Sequence, residues 1–273
     1  MTDPTTALII GLILVIGAII AFVKGKKIIY KWRKASLDKQ KVLIEDSLKH
    51  IFDYEYKNLK TTIDSLAGCL SISSNKAAEL ASELERMNLI ITLDGKLQLT
   101  KEGRAYALQV IRVHRLLEKY FAERTGFDEK NWHHEAELEE HRVSADDVEE
   151  LAAKMGNPLI DPHGDPIPTA SGEIRDYEGM PLSNLKEGES AQIIHLEDEP
   201  DNVYKELLDK GFHRGQSLTV AKKSNNQIVV ESGEETITIT PSYGINLTVV
   251  PLSDEDLEKD HRSLLESYHN AGS

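Results

Sequence analysis

Near the middle of the chain, His133-His134-Glu135-Ala136-Glu137-Leu138-Glu139-Glu140-His141 concentrates imidazoles and carboxylates, side chains that ligate divalent cations. On a helix turning ~100° per residue, His133, Glu137, Glu140 and His141 fall within an arc of roughly 100° and can aim at one point. His114 and Glu118, at i and i+4, would stack on one face of a preceding helix, so two helices can offer six donors. A chain with 29% charged residues also produces such clusters as solvated faces, so the reading depends on the elements around them.

The bounds are simple. At 273 residues there is room for two or three small domains. A net charge of -14 and a pI of about 5.2 argue against coating nucleic acid non-specifically, so any DNA contact must come from local basic patches. The single cysteine, Cys69, excludes an internal disulfide framework and a thiolate-rich zinc site. No nucleophile with an adjacent base, phosphate loop or cofactor fingerprint points to an enzyme. A zinc hydrolase with Glu140 as base is disfavoured because its neighbours are already taken up as ligands.

From Ala7 to Val23 runs a stretch of seventeen residues without a charge, at the short end of what spans a bilayer. Lys24, Lys26, Lys27, Lys31, Arg33 and Lys34 follow, with Tyr30 and Trp32 among them. This pattern predicts a retained single-pass membrane anchor, with everything downstream in the cytoplasm.

A helical pattern over Ser36 to Asp53 comes next, then a short helix over Thr61 to Leu70, a turn at Ser71 to Ser74 and a helix over Asn75 to Leu89. Ile91 to Leu99 alternates about Asp94-Gly95, a hairpin signal, and Thr100 can cap the helix that follows. Helix, helix, helix, hairpin predicts a winged helix-turn-helix with Asn75 to Leu89 as recognition helix.

In this order of parts, with Val113-His114-Arg115-Leu116-Leu117-Glu118, Trp132 to Ser144 and the turn Asp161-Pro162-His163-Gly164-Asp165-Pro166-Ile167-Pro168, residues from about 40 to 250 resemble the diphtheria-toxin-repressor family of metal-dependent transcription regulators. The resemblance implies a primary metal site of Asp46, Glu137, Glu140 and His141, and an ancillary site of His114, Glu118 and His133. The absence of sulfur suits Mn²⁺ or Fe²⁺, and Glu137, where the family's iron sensors commonly carry a cysteine, tilts toward manganese. Lys49, where the manganese branch often has a second first-helix carboxylate, disfavours that branch's binuclear centre. The implied DNA-reading set is Ser73, Ser74, Asn75, Lys76 and Glu79 with Lys96 on the wing, and Lys76 is the one strongly basic residue on the outward face of the recognition helix. Lys101 and Arg104 could add phosphate contacts.

The stretch from Gly156 to Pro181 reads as a Pro-rich linker with a packed turn. His163 in it has no partner at fixed spacing and is expected to be an ordinary loop histidine. Period-two segments at Ala191 to Leu196, Ser217 to Lys222, Gln227 to Val230, Thr236 to Thr240 and Asn246 to Val250 predict a compact barrel. With Pro181 to Gly188 and Leu207 to Gly215 it is similar to the SH3-like, FeoA-type domain that closes many family members and occurs in ferrous-iron transport accessory proteins. Glu199 and Asp201 lie near where that domain can donate an ancillary ligand.

The expected fold class is mainly α with small β. It comprises a transmembrane anchor and basic segment (1–35), a winged helix (36–103), a helical metal-binding and dimerisation domain (104–156), a linker (157–180), an SH3-like β-barrel (181–252) and an acidic tail (253–273). The expected function is a membrane-tethered, homodimeric repressor that reads an inverted-repeat operator with Mn²⁺ or Fe²⁺ as allosteric corepressor. The alternative is a membrane-associated metal-sensing module that regulates a transporter by direct contact.

Overall fold

A computed structural model describes residues 38–175 and 179–253, which divide into two compact units, the first ending at Ala107 and the second beginning at Leu108. In the first unit, helix α1 (38–56) buries Ile44, Leu48, Ile51 and Phe52, an apolar stripe at helical spacing. Helix α2 (Ile63–Cys69) starts with a capping box: the Thr62 hydroxyl accepts from the Ser65 N–H, and the Thr62 N–H donates back to Ser65 Oγ. Helix α3 (Ser74–Arg86) is capped by Ser73, buries Ala77, Leu80, Ala81 and Leu84, and leaves its opposite face in solvent. Its end turns through Asn88 at φ 58°, the left-handed conformation that asparagine tolerates.

Strands β1 (Ile90–Leu93) and β2 (Lys96–Leu99) pair antiparallel about Asp94 (φ 51°) and Gly95 (φ 72°), the two positive angles that a tight hairpin requires. Helix α4 (Lys101–Arg124) is capped by Thr100 Oγ1, which accepts from the Gly103 N–H at 3.0 Å. A Cβ on Gly103 would lie 1.8 Å from the Leu89 carbonyl oxygen, so only glycine lets α4 start this close to the wing. Three helices are thus followed by a hairpin, with helix ends a few residues from those expected, because the hydroxyl caps, not the apolar pattern, decide where a helix starts.

In the second unit the rest of α4 packs Leu116, Leu117 and Phe121 against α5 (Trp132–Glu139), α6 (Ala145–Lys154) and Ile167. Helix α6, capped by the Ser144 hydroxyl, has no counterpart in the expected elements. The stretch read as a linker is ordered where it crosses α4: Arg112 donates to the Pro168 carbonyl at 2.7 Å and Arg115 to the Pro166 carbonyl at 2.6 Å.

The last part is an antiparallel sheet of β3 (Met180–Pro181), β4 (Ser190–Leu196), β5 (Ser217–Lys223), β6 (Ile228–Ser232), β7 (Glu235–Ile239) and β8 (Leu247–Pro251) in the order β3-β8-β4-β5-β6-β7. Helix α7 (Asp201–Asp209), also unforeseen, closes its core with Tyr204, Leu207 and Leu208, and the four-residue turn of helix α8 (Pro241–Gly244) lies between β7 and β8.

Strands β3 and β7 stand at the two ends of that order. One feature of the expected fold class is corrected. Among the described residues no helix is long and apolar enough to cross a membrane. The longest, α4, at ~1.5 Å per residue would reach across a hydrocarbon core of ~30 Å, but Lys101, Glu102, Arg104, Arg112, Arg115 and Glu118 interrupt it. The apolar run Ala7 to Val23, on which the anchor, the membrane partner and the single-pass localisation rested, lies outside the described residues, and those expectations are withdrawn.

Candidate metal centre

The second unit buries His114, Glu118, Glu140, Asp161, His163 and His195, an unusual charge load for an interior. Helix α4 presents His114 and Glu118 one turn apart, with His114 Nε2 2.9 Å from Glu118 Oε1. Helix α5 brings His133, whose Nδ1 lies 3.0 Å from Glu118 Oε1 and 3.2 Å from His114 Nε2. The segment between β4 and α7 adds Asp198, with Oδ2 2.9 Å from the same His133 Nδ1. One ring nitrogen carries at most one proton and cannot satisfy three neighbours at once. Ligands about 2.1 Å from an octahedral cation stand about 3.0 Å apart, the spacing found here, so His114, Glu118, His133 and Asp198 fit a divalent ion.

The loop 161–165 forms the other wall. Asp161 Oδ1 accepts the N–H groups of Gly164 and Asp165, both at 2.8 Å, and folds the loop back on itself. Gly164 sits at φ 110°, and a Cβ there would come 2.1 Å from the Ile194 carbonyl oxygen, so the loop lies directly against β4. The Leu196 N–H donates to the His163 carbonyl at 3.0 Å, which fixes the ring between Trp132 and Tyr204. His163 Nδ1 then stands 3.3 Å from Asp198 Oδ2 and 3.7 Å from Glu118 Oε1. The ring is 2% exposed, and neither nitrogen has a hydrogen-bond partner. Behind the loop, Arg115 pairs with Asp165 at 3.2 Å, and Asp165 with His195 of β4 at 3.1 Å.

Burial would lower His133, yet Asp198, Glu118 and Glu137 raise it strongly. Burial also works against a charged His163, but Glu118, Asp198 and Asp161 push it up to about 10. In the carboxylates the order reverses: burial would raise Glu118 and Asp198, and the facing imidazoles hold both well below the usual range. Asp161 is pushed up to about 8 by burial and by Asp165 and Glu118. Protons thus balance the carboxylates where a cation would otherwise do so.

The residues expected at a primary site are arranged differently from a single helical face. Helix α5 ends at Glu139 and residues Glu140–Arg142 tighten into a 3₁₀ turn, which rotates Glu140 inward. Glu140 pairs with His114 and stands 3.5 Å from His141, while Glu137 turns to His133 at 3.6 Å, beside Glu199. Asp46 lies on α1 in the first unit. In the sheet domain, Asp201 pairs with Lys205 at 2.8 Å, and its neighbour Asp198 enters the cluster. His163, expected to be an ordinary loop residue, is instead walled in with Glu118 and Asp161. Sequence spacing carried no signal for Asp161, His163 or Asp198, because loop docking brings them in.

Of the DNA-reading set, Ser73, Ser74, Asn75, Lys76 and Glu79 all lie exposed at the start of α3. Ser73 caps the helix, Ser74 donates to Asp64 at 3.1 Å, and Lys76 stands 3.8 Å from Glu79. Lys96 on the wing sits beside Lys60, and the crowding of these two like charges lowers its pKa. Arg104 is paired with Glu55.

Residues 100–169 match the family described as "Iron dependent repressor, metal binding and dimerisation domain", and residues 180–244 match the FeoA domain. The diphtheria toxin repressor of Corynebacterium diphtheriae is 32% identical over 200 residues, covering 69% of this chain and 88% of that protein. The chain belongs to the diphtheria toxin repressor family. Another family member, the iron-dependent repressor IdeR of Mycobacterium leprae, is 27% identical over 207 residues, covering 70% of this chain and 90% of its own length. A solved structure titled as a manganese-dependent transcriptional repressor in complex with manganese superposes with a TM-score of 0.71 at 28% identity, over 77% of this chain and all of that one. The chain is accordingly a metal-dependent transcriptional repressor of this type, and these relatives are repressors, not enzymes.

Proposed function

We propose that this repressor senses Mn²⁺ or Fe²⁺ and binds an inverted-repeat operator as a homodimer, with the metal as allosteric corepressor. The observation that carries the metal reading is the convergence of four ligand atoms from His114, Glu118, His133 and Asp198, one of them a nitrogen with more close neighbours than it has protons. The donor set of imidazoles and carboxylates, without sulfur, suits both the iron and the manganese on which the similar repressors depend. Glu137, Glu140 and His141, with Asp46, form the proposed primary set that the family resemblance implies. When bound, the ion supplies charge that neutralises the clustered carboxylates. The chain's own part is to hold those carboxylates close together, so that metal-free protein is destabilised relative to loaded protein, and this difference is what a switch needs.

Selection of genomic fragments by the full chain, with and without Mn²⁺, followed by sequencing, tests the reading. An inverted repeat enriched with metal alone is expected. Glu118→Ala should weaken Mn²⁺ uptake at the ancillary set by at least about 100-fold, and Asp46→Ala should remove the metal dependence of DNA binding. Equal enrichment with and without metal would overturn the proposal.

A further inference from the structure

The four ligand atoms of the pocket come from separate parts of the second unit. His114 and Glu118 stand on α4, whereas Asp198 lies past the end of β4, whose ladder with β8 stops at Leu196 opposite Leu247. Asp198 nevertheless brings Oδ2 to 2.9 Å from His133 Nδ1. A metal centre tolerates misplacement of its ligands by only about 0.5 Å, so the strand that leads to Asp198 has to be held in register with α4.

Asp165 is placed to do this. Its Oδ1 accepts from Arg115 Nη2 at 3.2 Å, and its Oδ2 stands 3.1 Å from His195 Nε2. Arg115 follows His114 directly and precedes Glu118 by three residues on α4; His195 precedes Asp198 by three residues and lies on β4. One carboxylate therefore joins the two backbones that carry the ligands. We propose that Asp165 is a positioning residue for the metal centre: by bridging Arg115 and His195 it holds Asp198 within reach of an ion bound by His114, Glu118 and His133.

This rests on the metal-sensing reading above and names what keeps that ligand set assembled. The carboxylate's own backbone is fixed on both sides, since the Asp165 N–H donates to Asp161 Oδ1 at 2.8 Å and Arg115 Nη1 donates to the Pro166 carbonyl at 2.6 Å. The Leu196 N–H, donating to the His163 carbonyl at 3.0 Å, sets the same strand against the same loop. Burial opposes the charge on Asp165, and Arg115 with His195 holds it below the usual carboxylate range. An ionised carboxylate only accepts, so His195 Nε2 carries the proton between them. Partly buried ionic groups of this kind contribute little net stability; what this trio secures is the register of strand and helix.

Equilibrium dialysis of the full chain against Mn²⁺ alone tests the assignment, reading the binding class that Glu118→Ala removes. Asp198→Ala should weaken that class, and Asp165→Ala and His195→Ala should each weaken it by about 10-fold or more, as partners behind metal ligands do. In a chain already carrying Asp198→Ala, the same two substitutions should change it by less than about 2-fold, because a residue acting through Asp198 then has nothing to position. His195→Gln, whose amide N–H can take the place of Nε2–H, should restore most of the affinity that His195→Ala loses. A merely structural trio would lower affinity by the same factor with and without Asp198, and that result overturns the proposal. So does unchanged affinity in Asp165→Ala or His195→Ala, His195→Gln as damaging as His195→Ala, or Asp198→Ala binding Mn²⁺ as well as the unaltered chain. Should Asp165→Ala fail to fold, the His195 and Asp198 variants decide alone. No Mn²⁺ uptake by the unaltered chain would overturn the metal-sensing reading together with this one, whereas each of the other adverse results overturns this one alone.

Discussion

The two units treat charge in opposite ways. In the first, the buried polar residues are Glu45, Ser47 and Thr61, and the residues that would face DNA lie in solvent. In the second, imidazoles and carboxylates from two helices, a loop and the strand-to-helix segment after β4 are packed into one interior cluster. A surface that meets a polyanion can leave its charges hydrated until the partner arrives. An interior that must respond to a small ion has to pre-assemble the charges and tolerate their repulsion while the ion is absent. The first arrangement stores little free energy and the second stores a good deal, so perturbations should be felt most in the second unit.

The largest effect expected is from Gly164→Ala. The added Cβ would meet the Ile194 carbonyl oxygen at 2.1 Å, at a φ of 110° that L residues rarely adopt. Backbone strain of this kind alone costs about 1–3 kcal/mol, and the overlap with backbone adds to it. Loop 161–165 should leave β4, exposing its amides to hydrogen exchange at least about 30-fold faster, since 2 kcal/mol is a factor of about 30, and metal uptake should weaken with it. Gly95→Ala on the wing, where nothing lies within 4 Å, should leave the cluster's metal uptake unchanged. Equal damage to uptake from both would erase the contrast between the units.

These two walls also mark how far the sequence could be read. His114 and Glu118 were legible because an i, i+4 pair on a helix has one geometry, and the winged helix was legible because its caps and its Asp94-Gly95 turn are local. Glu140 was legible as a ligand type but not in its direction, since the change from α to 3₁₀ at the end of α5 is a small local event that re-aims a side chain. His163, Asp161 and Asp198 were not legible as a group: they meet because a loop backbone fits against β4 where residue 164 lacks a side chain. Periodicity carries no record of such docking. Helix α7 was hidden for a related reason, because its apolar face, Tyr204, Leu207 and Leu208, is short and sits amid strand patterns. The resemblance to a family, resting on the order of motifs, reached further than any spacing rule did.

A smaller effect, and one that sharpens the comparison, is pH dependence. The His163 value of about 10 and the raised His133 value mean that both rings are protonated at pH 7 in metal-free protein. A metal ion must displace those protons, so Mn²⁺ affinity should rise between pH 6 and pH 8, and titration calorimetry in buffers of different ionisation enthalpy should show proton release. For the metal-free protein, the folded value of His163 lies above its unfolded value of about 6.5. Its contribution is therefore fully present below pH ~6.5 and is lost as pH rises through about 10. Asp161 acts in the same sense: a carboxyl raised to about 8 opposes folding increasingly as pH climbs from ~3.9 toward that value. Urea unfolding of the second unit should thus show falling stability from pH 6.5 to 9 without metal, while the first unit stays flat. A second unit that gains stability over that range would contradict the charge assignment.

The smallest effect concerns the first unit, where charge is exposed and each contact is worth little. Arg104 is paired with Glu55, and Lys76 has Glu79 beside it, so neither is fully available to a phosphate. Lys96 and Lys60 differ, because the two like charges crowd one another on the wing and a phosphate between them would relieve the repulsion. Each phosphate neutralised contributes about 0.9 to the slope of log affinity against log salt. Lys96→Gln and Lys60→Gln should therefore each lower the magnitude of that slope by about 1, and weaken binding equally on operator and unrelated DNA, since phosphate contacts carry no sequence information. Glu79→Gln should behave otherwise. It faces solvent on the outward side of α3, so its substitution should change the preference for particular base pairs while leaving the salt slope within about 1 of its original value. If the lysine variants alter sequence preference and Glu79→Gln does not, the wing and the recognition helix have exchanged the roles assigned to them.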